Sequence, residues 1–177
     1  LGGFEDLEPQ RRERESATES FHDDHRLDRA AVAAAPDDGS LRRDELEFLV
    51  RQHDFEKALV DADKIVALDE SDPQRYELRG FVLHALGRDD QALQAFEKAL
   101  LIGGNETWPA RYGRGLVFLA NNRAQEALDE LLAIQEHSDD TSGVSELFFG
   151  TWTMPTIDLA RAYQALGQSD KSMATLD

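Results

Sequence analysis

Between Pro73 and Gly104, apolar and polar positions follow the period of two short helices placed back to back. The segment PQRYELRGFVLHA predicts a helix from Pro73 to Ala85, stopped at Gly87 because glycine tolerates the left-handed conformation used at helix ends. A second helix is expected to open near Asp89 or Asp90, whose carboxylates suit the free N–H groups and the positive end of a helix. Ala92, Phe96 and Ala99 follow at spacings of four and three and so share one face. Gly80 falls inside the first helix, where glycine costs about 1 kcal/mol relative to alanine. A glycine kept there predicts a close backbone approach, and Ala92 is the small residue expected opposite it.

The hairpin recurs. Ala58, in DFEKALVDADKIVAL, stands 34 residues before Ala92; Ala127, in RAQEALDELLAI, stands 35 after it, and Gly115 takes the place of Gly80. A self-similar period of about 34 residues is the mark of a helical solenoid. The same pattern predicts helices near 40–52 and 55–69, and near 109–121 and 124–136, with Pro109 suiting a first helical position. The chain resembles the tetratricopeptide repeat family. The resemblance rests on Gly80, Leu83, Gly87, Ala92, Phe96 and Ala99 in the central repeat. Leu46, Leu49, His53, Ala58, Ala62 and Ile65 match in the repeat before, and Gly115, Phe118, Asn122, Ala127, Leu131 and Ile134 in the one after. A further copy begins with Ala160, Tyr163 and Gly167 and reaches Ser172 and Leu176. The fold expected is an all-α, right-handed α-solenoid of antiparallel helix-turn-helix repeats.

On this reading residues 1–20 form a flexible leader, without period, and residues 21–177 the repeat domain. The domain divides into a partial repeat 21–38, full repeats 39–72, 73–107 and 108–141, an insertion at about 137–152, and a partial repeat 153–177. The last helix stops in mid-pattern, so the natural chain is expected to continue past Asp177, or that end to be covered by a partner or a second copy. The run His22-Asp23-Asp24-His25 carries ligand-type side chains, but adjacent helical residues diverge by about 100°, and four in a row cannot converge on one ion. A solvated cap is expected there, and no metal.

The net charge of −17 opposes binding to nucleic acid or to anionic membrane. No run approaches the roughly eighteen apolar residues of a membrane span, so no direct membrane insertion is expected. With no cysteine, disulfides and thiol catalysis are excluded, and cytoplasm and periplasm both stay open. Arginine (15) outnumbers lysine (4), a bias compatible with a GC-rich or salt-adapted bacterium.

Catalytic patterns do not emerge. Gly113 and Gly115 lie in a helical stretch with no preceding strand, which does not support a phosphate loop. No H-E-x-x-H occurs, and Ser, His and Asp show no triad signature. The expectation is a protein that is not an enzyme and uses no cofactor.

The resemblance implies instead a concave face, lined by the first helix of each repeat, that takes peptides. Its members here are Arg43, Glu47 and Val50; Glu77, Phe81 and His84; Tyr112, Leu116 and Leu119; and Ile157, Arg161 and Gln164. The family's clamp for a carboxylate terminus needs Lys, Arg and Asn, of which only Arg43 and Arg161 are present, at opposite ends. The middle is aromatic and aliphatic, which suits an apolar peptide or helix, unless those side chains pack against neighbouring first helices or a returning segment of the chain. Phe148, Phe149 and Trp152 in the insertion either seal the junction between repeats or form a second contact patch for a partner. The function expected is an interaction module or adaptor for a protein or peptide partner. The alternatives are a chaperone for a secreted or membrane-inserting partner, and a self-assembling scaffold that forms homo-oligomers through its C-terminal end.

Overall fold

The computed structural model describes residues 30–104, 107–135 and 154–176. A helical turn over 30–34 and Pro36 lead into α1 (Gly39–Arg51), followed by α2 (Phe55–Leu68), α3 (Pro73–Ala85) and α4 (Asp89–Gly103). Next come α5 (Trp108–Ala120), α6 (Ala124–Gln135), α7 (Met154–Ala165) and α8 (Ser169–Leu176). The described residues include no strand. Each odd-numbered helix folds back on the next as a hairpin, and each even-numbered helix packs on the following hairpin's first helix. Beyond these neighbours, α3 meets α5 and α5 meets α7. First helices therefore crowd together, which puts them on the inside of the curve of an all-α solenoid.

Local chemistry sets these boundaries. Asp38 caps α1 by accepting from the Ser40 and Leu41 N–H groups at 2.9 and 3.3 Å, and Asp72 caps α3 through Gln74 N–H at 3.0 Å. At the start of α4 the expectation needs changing. Its N-cap is Arg88, with no side-chain cap bond, and the Asp89 carboxylate turns away to His84 Nδ1 (2.7 Å) and Asn121 Nδ2 (2.6 Å).

The hairpin turns share one conformation. His53, Gly87, Asn122 and Gly167 all have φ between 58° and 72°. Gly87 and Gly167 adopt it freely, whereas a side chain there is strained by about 1–2 kcal/mol, less for asparagine. We expect His53→Gly to stabilise the protein by about 1 kcal/mol, reduced by loss of the edge-on His53–Phe55 ring contact at 5.7 Å. A urea midpoint that falls in this variant would show that the ring contact outweighs the strain.

The core forms two clusters. The larger runs from Leu46 and Leu49 through Leu78, Leu83 and Phe96 to Ala110 and Val117; the smaller joins Trp108, Tyr112, Leu131, Ile134, Leu159 and Ala162. Helix α5 contributes to both, and half-buried Leu116 packs against each. Phe96, which shows no exposed surface, fits between two glycines. Its ring comes within 2.5 Å of where a Gly80 Cβ would stand, and closer still at Gly113 on the next hairpin. The close approach expected at Gly80 is thus met by the Phe96 ring, which stands nearer than Ala92. Phe81 meets the same ring edge-on at 5.0 Å.

Candidate interaction face

The side chains assigned to the inner face divide into two sets. Glu77, Phe81 and Tyr112 are each 2% exposed, and Val50 is also buried. The aromatic middle of the face therefore belongs to the packing between hairpins and offers almost no surface. Arg43, Glu47, His84, Leu116 and Leu119 are half-buried, while Ile157, Arg161 and Gln164 are exposed. Phe148, Phe149 and Trp152 lie outside the described residues, as do His22–His25.

What brings the buried set together is the contact between first helices. Tyr112 sits on α5 with its hydroxyl donating to Asp158 Oδ2 of α7 at 2.8 Å. The other oxygen of Asp158, itself buried, accepts from Arg161 at 2.7 Å. Burial first, and then the Asp158 charge, push the Tyr112 phenol far above its ordinary range, so it stays a donor. One hairpin earlier, Glu77 of α3 accepts a hydrogen bond from the backbone N–H of Ala110, in the first turn of α5. Thr107, the N-cap of α5, makes no side-chain cap bond, and its hydroxyl donates to Gly104 O at 2.6 Å. Glu77 thus caps α5 from outside its own hairpin. Its Oε2 is buried with no hydrogen-bond partner among the described residues. Desolvation, reinforced by the Asp72 charge, pushes the Glu77 carboxyl up to about 8.

At the two ends the face is polar. Arg43 and Arg51 both lie 3.8 Å from the Glu47 carboxylate along α1, and Arg161 stands on Asp158 at the α7 end. His84 is tied to Asp89. Of the described residues, no group of three or more His, Asp or Glu side chains is placed to hold a metal ion. No described helix is long and apolar enough to cross a membrane.

A tetratricopeptide repeat sequence pattern matches residues 73–102, the α3–α4 hairpin. The fold is shared with solved repeat structures. MamA superposes with a TM-score of 0.66 at 15% identity, over 93% of this chain and 83% of that one. MamA residues 41 to end from Desulfovibrio magneticus give 0.61 at 22% identity over 78% and 71%. A tetratricopeptide repeat protein from Parabacteroides merdae gives 0.56 at 17% over 91% and 75%. The α3–α4 hairpin carries the tetratricopeptide repeat pattern, and the chain shares the fold of these repeat structures. No curated protein sequence matches it.

Apart from the turn residues His53, Gly87, Asn122 and Gly167, most of the residues that carried the resemblance are packing residues. Leu46, Ala58, Ala62, Leu83, Ala92, Phe96, Ala99 and Ala127 show no exposed surface, and Ile65, Leu131 and Ile134 show at most 4%. The repeats also match in size at their junctions. Small Ala62 takes the place in the α1–α2 hairpin that Phe96 takes in the α3–α4 hairpin; large Leu78 takes the place in α3 that Gly113 takes in α5. The role of Gly113 was missed in the sequence reading, although this exchange of small and large between successive repeats was the signal available. Arginines add polar ties across the junction between α2 and the α3–α4 hairpin. Arg79 meets Asp63 at 2.6 Å, and Arg88 grips Glu56 with both carboxylate oxygens at 2.7 and 2.9 Å.

Proposed function

We propose that this protein is a non-catalytic interaction module that holds a segment of a protein partner against the inner row of first helices. The observation that carries this reading is the state of that row once packing is satisfied. Ile157 on α7 stays 45% exposed and Leu116 and Leu119 on α5 stay half-buried, with charged positions at Arg43 and Glu47 on α1 and at Arg161 on α7. A surface of that kind favours an amphipathic segment that lays a few apolar side chains on α5 and α7 and meets both signs of charge at its ends. It disfavours a wholly apolar ligand, because Phe81 and Tyr112 are committed to the core.

The test begins with a displayed random-peptide library selected on the wild-type protein. Selected peptides are then titrated against Ile157→Asp and Leu119→Asn, with Leu101→Asp as the control on exposed α4 surface. The expected outcome is a loss of affinity of about tenfold or more in the first two variants and little change in the control. Equal affinity in all three, or a loss confined to Leu101→Asp, would move the binding site off the inner row.

A further inference from the structure

Among the described residues, the buried Glu77 carboxyl has a placement that apolar packing does not explain. A carboxyl group 2% exposed, with one oxygen bonded to the Ala110 N–H and the other bare, is costly to keep ionised. The charges that act on it do not compensate. On α1, Arg43 is engaged by Glu47 at 3.8 Å; at the start of α3, Asp72 is a like charge, itself held by Arg75 at 3.2 Å. From α5 the group that meets it is a backbone amide, and the charged side chains at the α2 and α4 contacts are paired elsewhere, Arg79 with Asp63 and His84 with Asp89.

We propose that Glu77 is a protonation-operated clasp between the α3–α4 and α5–α6 hairpins, closed when the carboxyl is neutral and loosened when it ionises. In the neutral form the carbonyl oxygen keeps accepting from Ala110 N–H, and the bare oxygen carries the proton. Ionisation leaves a buried charge with one donor, and the side chain gains by moving toward water, which strips the first turn of α5 of its cap. Because the clasp lies where α3 meets α5, its opening alters the spacing of the inner row. The ordinary carboxyl value of 4.5 and the folded value of about 8 set the window. Between them the folded protein holds a proton that the unfolded chain has lost, so stability is full below the lower value and falls as pH rises through the window.

Two measurements on the wild-type protein and on Glu77→Gln decide the matter. The protection factor of the Ala110 amide, corrected for intrinsic exchange, is expected to fall about tenfold or more between about pH 6 and about pH 9 in wild type, and to stay level in Glu77→Gln. Carbon-13 titration of the Glu77 carboxyl in wild type is expected to show a midpoint well above 4.5. This second measurement needs no variant, so it stands even if Glu77→Gln does not fold. A midpoint at the ordinary value, level protection in wild type, or an equal loss of protection in Glu77→Gln would overturn the clasp.

Discussion

Gly113→Ala is expected to lower stability by about 1–3 kcal/mol, in a helix interior where alanine normally gains about 1 kcal/mol over glycine. The two effects have opposite signs, so the measured sign alone separates them. Propensity favours the added methyl. Packing opposes it, because the Phe96 ring occupies the position the Cβ would take, and that ring is fixed on its far side by Gly80 and Phe81. The ring cannot retreat without opening the α4–α5 contact, and packing should win. A double variant with Phe96→Leu gives the clash room. Coupling between the two sites of about 0.5–3 kcal/mol in the relieving direction is expected from urea denaturation of the four proteins in the cycle. A stabilised Gly113→Ala would show that the ring does not depend on this glycine.

The second large effect concerns Tyr112. Truncation to alanine removes a buried ring and should cost about 3–5 kcal/mol, by analogy with other buried aromatics. Tyr112→Phe keeps the ring and takes one donor from the buried Asp158 carboxylate, which still accepts from Arg161, so a cost of about 1–3 kcal/mol follows. Melting curves of the two variants distinguish this role from that of a ligand contact. A ligand-binding tyrosine would show a melting temperature unchanged by Tyr112→Phe, together with weaker peptide affinity.

Tyr112 also shows where the sequence stopped being informative. Helix ends at Ala85, hairpin turns at Gly87, and the faces carrying Ala92, Phe96 and Ala99 were legible because each depends on a few neighbouring residues and a fixed period. The inner face was harder to read. Spacing placed Glu77, Phe81 and Tyr112 on the same side of their helices as Leu116 and Ile157, but it cannot say how near the next first helix comes. Contacts between α3 and α5 and between α5 and α7 decide which of those side chains are covered, and that distance depends on junction residues such as Phe96 and Gly113. The cap on α5 was hidden for the same reason. Glu77 and Ala110 are 33 residues apart (110 − 77), nearly a full repeat, so no local motif connects them.

The division of the core into two clusters that meet on α5 bears on how the chain comes apart. A protein with one undivided interior loses its order all at once. Among the described residues, the smaller cluster, carried by α5, α6 and α7, meets the larger one on α5, where Leu116 packs against both. Unravelling can advance from the C-terminal side as far as α5 and halt there, because that helix is still held by the Phe96 ring and by Glu77. Helix α5 is then a boundary between cooperative units: the last helix to leave when α7 and α8 fray, and the first surface on which they can reassemble.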